Sequence, residues 1–201
     1  MKFRNVIAIA TIAAIGVTAC GSDAKESATS TAGTTAGEVT TTAATGAAFN
    51  DADVEFAQGM IPHHEQAIEM ADIALDPTVG ASDVVKELAA RIKGEQDPEI
   101  QLMTGWLTTW GQPLQMTTDS THDMSSMDGM MSAEDMASLE AASGPGFDKI
   151  WQEMMIQHHD GAIEMATKEK ANGASPDALA LADQIIVAQQ AEIDEMTANL
   201  G

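Results

Sequence analysis

The chain has one cysteine, no tyrosine, and only three Trp and four Phe in 201 residues. A lone cysteine excludes a disulfide framework and every cysteine-rich zinc or iron–sulfur site. Basic residues are scarce as well: nine Lys and Arg stand against 31 Asp and Glu, a formal charge of −22. A surface that acidic repels nucleic acid and anionic lipid headgroups and favours cations, besides keeping a protein soluble. Long apolar runs are absent except at the start, where Val6 to Val17 is interrupted only by Thr11 and Gly16. That run is too short to span a bilayer comfortably.

Preceded by the basic Met1-Lys2-Phe3-Arg4, the run reads as the apolar part of a signal peptide over residues 1–19. It ends in Val17-Thr18-Ala19-Cys20-Gly21, which resembles a bacterial lipobox. The resemblance implies that Cys20 takes a diacylglyceryl group and becomes the mature N-terminus. The product is then an extracytoplasmic, lipid-anchored membrane protein, facing the cell surface or a periplasm, with no further contact with the membrane. Loss of Lys2 and Arg4 leaves seven basic against 31 acidic side chains, a charge of −24. With the thiol alkylated, methionine is the remaining sulfur donor. Residues 20–48, mostly Gly, Ser, Thr and Ala, bury too little to fold and predict a flexible linker. Residues 49–201 suffice for one domain with a real core.

That domain is a duplication. Met60-Ile-Pro-His63-His64-Glu-Gln-Ala-Ile-Glu-Met70-Ala71 returns as Met155-Ile-Gln-His158-His159-Asp-Gly-Ala-Ile-Glu-Met165-Ala166, 95 residues on. Asp53 and Phe56 meet Asp148 and Trp151 at the same offset. Downstream, at an offset of 93, Leu88, Ile92, Gln96, Glu99, Met103 and Leu107 meet Leu181, Ile185, Gln189, Glu192, Met196 and Leu200. Each copy is thus two segments, and the apolar residues of each segment step by three and four, as helices require. Asp76-Pro77 and Asn172-Gly173 read as stops, and Ser82 and Ser175 as caps for the second helix of each copy. Pro62 is expected to kink or end its helix. Two such hairpins predict an all-α four-helix bundle with a pseudo-twofold axis. Between the copies, residues 111–146 form a polar, methionine-rich connector. It holds a short helix from about Ser132, capped with Asp135, to Ala142, broken at Gly144-Pro145-Gly146.

Adjacent residues on a helix point about 100° apart. His63 and His64 lie where two apolar stripes meet, as do His158 and His159, so at least one imidazole of each pair turns inward. Burying four imidazoles is costly unless each nitrogen has a partner. A copper or zinc ion is one such partner. A hydrogen-bonded network with Gln96, Glu99, Gln189 and Glu192 is the other. Glu99 and Met103, like Glu192 and Met196, share a helix face, so the glutamates read either as ligands, as groups orienting histidine, or as plain boundary residues. Met60, Met70, Met155 and Met165 share a stripe with the histidines, where methionine is commonly core filler. Thioether plus imidazole is nonetheless the donor set that suits Cu(I). The connector packs His122, Met124, Met127, Met130 and Met131 into ten residues too polar to form a core. We read it as a capture segment for copper or silver. Since neutral imidazole is required, binding is expected to weaken below a pH of about 6.5.

The doubled MIPHHEQAIEMA and MIQHHDGAIEMA segments, with the flanking Asp53-Val-Glu-Phe56 and Glu99-Ile-Gln-Leu-Met103, resemble the domain of unknown function 305 family over about residues 49–200. The resemblance implies a ferritin-like four-helix fold, export, and in some members copper binding and tolerance. Its motif residues here are His63, His64, Met70, His158, His159 and Met165, with Gly161 replacing Gln66 as a departure between copies. The leading expectation is a non-enzymatic, soft-metal-binding lipoprotein, the metal being copper with zinc or silver as alternatives. A metal-dependent oxidase or peroxidase-like enzyme is the second, although no Glu stands three residues before any histidine, as di-iron bundles require. A lipoprotein whose histidines only specify packing is the third. Oligomeric state is not legible.

Overall fold

The computed structural model describes residues 48–115 and 127–201. The signal peptide, Cys20, the linker to residue 47, His122 and Met124 all lie outside the described residues. Within them the chain is all-α. The helices are α1 (Asp51–Leu75), α2 (Asp83–Trp110), α3 (Ala133–Ala141), α4 (Gly144–Asn172) and α5 (Pro176–Leu200). Among the described residues no helix is long and apolar enough to cross a membrane.

Local chemistry fixes the boundaries. Ser82 accepts the Val85 N–H and Ser175 the Ala178 N–H, while Ser132 and Asp135 form a capping box on α3. The sequence leaves α1 without an obvious cap, but Asn50 supplies one with Asp53 as its partner. Of the two outcomes expected at Pro62, an ended helix is not seen: α1 runs through it as one element of 25 residues. A proline removes one donor from the ladder, and packing of α1 on both neighbours outweighs that loss. Gly144-Pro145-Gly146 does break α3, which is capped at Ala142, yet these residues also form the first turn of α4, where a proline is well tolerated.

α1 packs on α2 and α4 on α5, and the two hairpins meet chiefly through α1 and α4. These central helices are antiparallel. Asn50, before α1, donates through its side chain to the carbonyl of Asn172 at the end of α4, and Gly144 N–H donates to the carbonyl of Val79 beyond α1. Each copy straps the other by the same device. Asp53 of α1 accepts the backbone N–H groups of Ala174 and Ser175 ahead of α5, at 3.1 and 2.8 Å. Asp148 of α4, its counterpart, accepts the N–H of Ser82 ahead of α2 at 3.0 Å. The apolar interior divides into two clusters. One holds Met70, Met131, Trp151, Met155 and Met196, the other Phe56, Met60, Met103 and Leu107, with Met165 packed against its edge. Trp151, fully buried, donates its indole N–H to the Met70 carbonyl at 2.9 Å.

Candidate functional site

Where α1 packs on α4, a residue of one copy meets its own counterpart in the other. That residue is the first histidine of each pair. The rings of His63 and His158 lie 3.8 Å apart between centroids, tilted by 40°. The second histidine of each pair, turned about 100° further round, faces its own hairpin partner. His64 Nε2 lies 2.7 Å from Glu99 Oε2 on α2, and His159 Nε2 lies 2.7 Å from Glu192 Oε2 on α5. All four imidazoles have no solvent exposure.

A carboxylate only accepts, so a neutral His64 or His159 donates from Nε2 and is left with a bare lone pair at Nδ1. A carboxylate holding one imidazole nitrogen so that the other is free is how metal-ligating histidines are oriented. Neither Nδ1 has a hydrogen-bond partner, and both ring nitrogens of His63 and of His158 lack one as well. Six buried ring nitrogens therefore stand unsatisfied. Each such group costs about 1–3 kcal/mol when nothing binds it. The Gln96 and Gln189 side-chain oxygens, counterparts on α2 and α5, are buried and unpartnered too. The hydrogen-bonded network that the sequence also allowed is thus realised only in its His–Glu links.

Burial, and after it the neighbouring His64, pushes His63 down to about 3. The backbone of Asp128 opposes that shift without reaching hydrogen-bond geometry. His158 is held well below the ordinary imidazole value by burial and then by His63. Both are uncharged at neutral pH, the state a metal needs. At the His63–His158 pair, protons compete with a ligand only in acid well below the ordinary imidazole range.

Among the described residues no three His, Cys, Asp or Glu side chains converge as a closed metal cage. The nitrogen donors form a tilted pair in contact, flanked by two His–Glu units, with thioethers in the apolar clusters on either side. Met60, Met70, Met103, Met155 and Met196 are fully buried, divided between the clusters on either side of the pair, while Met165 is half-buried. In the connector, Met127 and Met130 are half-buried. Met131 is 5% exposed and belongs to the core, although its segment reads as too polar to contribute to one.

The connector docks on both copies at one position where they differ, Gln66 in the first and Gly161 in the second. Gln66 of α1 exchanges two hydrogen bonds with the Met131 backbone, at 2.9 and 2.7 Å. Its counterpart Gly161 leaves room for Asp128 and Gly129, for a Cβ there would lie 2.1 Å from the Asp128 oxygen. Gly129 has φ +81, and a Cβ on it would lie 2.8 Å from the Gly161 Cα, so glycine is required on both sides of the contact. The segment from Met127 to Met131 is thereby held beside His63.

Sequence reasoning missed two carboxyl groups. Burial would raise Asp53, but N–H groups of Asn50, Ser175 and Ala174, with Glu169, hold it below the ordinary range. Burial and then Asp53 push Glu169 up to about 8, so it carries a proton at neutral pH. The repetition of Asp53 as Asp148 was a visible signal; Glu169 gave none, because its counterpart is Ala74. Arg91 adds another asymmetry. It pairs with Glu192 and Glu195, whereas its counterpart is Gln184.

Comparison with known proteins supplies the remaining context. A family model, the domain of unknown function DUF305, matches residues 53–200. A DUF305 fragment from Deinococcus radiodurans is 32% identical, with a TM-score of 0.67 over 76% of this chain and 97% of that one. A DUF305 protein from Streptomyces coelicolor, described as secreted, is 30% identical, with a TM-score of 0.66 over 72% and 88%. CopM in its Cu(II)-bound form is 32% identical, with a TM-score of 0.60 over 74% and 95%. Solved forms of CopM with Cu(I) and with silver are similar at 31% identity. No curated protein sequence matches. With its doubled histidine motif lying inside a family match that spans residues 53–200, the chain belongs to the DUF305 family.

Proposed function

We propose that this chain binds a soft metal ion, copper foremost and silver or zinc by the same chemistry, and sequesters it outside the cytoplasm. In this reading residues 1–19 are removed on export, Cys20 carries the lipid, residues 20–48 tether the domain, and binding is the whole activity. The metal is cargo, held without turnover. The observation that carries the proposal is the His63–His158 pair. Two uncharged imidazoles in contact, wholly buried, with all four nitrogens unpartnered, gain nothing from being there unless something binds them.

The donor chemistry fits Cu(I). Imidazole nitrogens lie between two thioether-rich clusters, and no cysteine competes in the described residues. His64 and His159, oriented by Glu99 and Glu192, each offer one more nitrogen. Met60, Met70, Met155 and Met165, then Met103 and Met196, are the thioethers nearest in sequence register. Copper- and silver-loaded structures of CopM support the same ion class for this relative. The acidic surface raises the local concentration of cations.

The test is Cu(I) titration against a competing chelator, comparing the purified protein with His63→Asn/His158→Asn. Loss of two ligands should weaken binding at least about 100-fold, more than the roughly 10–100-fold that outer-shell changes produce. Equal affinities would end the proposal.

A further inference from the structure

The end of the bundle where α1 begins and α2 finishes carries an apolar face that the proposed metal chemistry does not use. Phe49 stacks on Trp110 with ring centroids 4.7 Å apart and planes within 10°, and Trp110 stacks in turn on Trp106 at 5.9 Å. Trp106 and Trp110 stay half-buried, while Phe49, Leu102 and Leu114 are 37%, 47% and 49% exposed. Leu102, Trp106 and Trp110 follow at steps of four, so they lie along one stripe of α2. The stripe is held firmly at its end. Gly111 caps α2 in the left-handed region at φ 68, and Gln58 of α1 donates to the Pro113 carbonyl at 2.7 Å, which fixes the turn leading to Leu114. Residues 100–115 contain no charged side chain, in a chain where charged residues make up 20%. An acidic protein that keeps one aromatic face free of charge removes, at that face, the repulsion that the rest of its surface offers a membrane.

We infer that this aromatic face is a membrane-facing surface, which lies in the headgroup region of the bilayer that holds the lipid on Cys20. Indole rings favour that depth, because the ring body is apolar and the N–H is polar. The tether names the same occupant. Residues 20–48 lead directly into Phe49, so the chain coming from the anchor enters the domain within the patch itself. Zwitterionic headgroups fit better than anionic ones, since the exposed Asp51 follows Phe49 by two residues. Trp151, the third tryptophan, is fully buried, donates to Met70 and takes no part. The anchor supplies attachment, and the patch adds a second contact that sets which end of the bundle faces the lipid. That the bilayer is within reach rests on the anchor in the proposed function; the patch and its lack of charge do not.

The experiment takes the full chain, produced in a bacterium that lipidates exported proteins, and mixes it with phosphatidylcholine vesicles whose acyl chains are brominated or plain. Flotation and tryptophan emission are both followed. The chain should float, and bromine should remove about one third of the emission, because two of the three tryptophans lie at headgroup depth while Trp151 is shielded. Trp106→Gln/Trp110→Gln, which leaves Trp151 alone, should abolish the quenching. Leu102→Gln/Leu114→Gln, at exposed positions, should cut it by about half. Flotation without quenching would overturn the membrane-facing surface and leave the anchor standing; a dimer seen by sedimentation in that case would assign the patch to a second copy. Quenching that survives Trp106→Gln/Trp110→Gln would come from Trp151 and would overturn the surface as well. A chain that does not float would overturn both the anchor and the surface.

Discussion

The low basicity of the central histidines makes acid the natural probe of the metal-free protein. His63 titrates near 3 when folded and near 6.5 when unfolded. Its folded value is depressed, so the stability tied to its neutral form is fully present above pH 6.5 and is lost as pH falls from there toward 3. The rate of loss is about 1.4 kcal/mol per pH unit for each proton the unfolded chain binds and the folded one does not. Going from pH 6.5 to 4.5 therefore removes up to about 2.7 kcal/mol through His63, and His158, displaced in the same direction, adds to that loss. Against a typical domain stability of about 5–15 kcal/mol, that is a large fraction. Glu169 works the other way. Its raised value stabilises the fold fully below about 4.5 and loses that contribution as pH rises through about 8. Comparing two proteins that both keep Glu169 cancels this term. Urea unfolding at pH 7.5, 6.0 and 4.5, with a chelator present, should show the wild type losing at least about 2.5 kcal/mol more than His63→Asn/His158→Asn over that range. If both lose the same amount to within about 1 kcal/mol, the histidines are not the buried neutral pair described above.

Three further outcomes are expected. Gly161→Ala puts a methyl 2.1 Å from the Asp128 oxygen, so it should unseat the connector and lower stability by about 1–3 kcal/mol in urea. Combined with Gln66→Ala, which frees the Met131 backbone, it should cost less than the sum of the two, since both undo one docking event. Asp53→Ala, removing a buried strap to Ala174 and Ser175, should cost about 2–3 kcal/mol. Asp148→Ala, at a half-buried position, should cost nearer 1 kcal/mol, and melting temperatures would rank the two. Finally, Glu169→Gln should flatten the fall in melting temperature that the wild type shows between pH 7 and 9.5, because the wild type ionises a second buried carboxyl beside Asp53 there. An unchanged alkaline profile would mean that Glu169 reaches solvent.

The helices and their punctuation were legible because they depend on neighbours in sequence. Apolar steps of three and four, Ser82, Ser132 and Ser175 before their helices, and the stop at Asp76-Pro77 each carry a local physical meaning. The inward turn of the histidines was legible too, because two adjacent apolar stripes cross at His63 and His64. What depends on the partner copy was not. Nothing in the sequence says that Asp53 reaches Ala174 and Ser175, 121 and 122 residues away, or that Glu169 comes to rest against it. Pro62 misled because its local cost was weighed without the packing that surrounds α1. Met131 misled because the polarity of its segment hid a single side chain turned into the core. The depressed basicity of His63 follows from burial, which periodicity suggests only in outline.

Duplication explains why the histidine pair exists at all. Where the two similar segments pack antiparallel, corresponding residues meet, so one inward histidine in the repeated motif gives two in contact. The symmetric parts of the site, the paired rings and the two His–Glu units, need nothing more. The differences between copies fall elsewhere. Gln66 against Gly161 seats the connector, and Ala74 against Glu169 places a second carboxyl beside Asp53. The connector is the one element between the copies that has no duplicate, so whatever it touches has to break the symmetry. Symmetry thus supplies the buried nitrogen pair, and the departures from it seat the connector beside that pair.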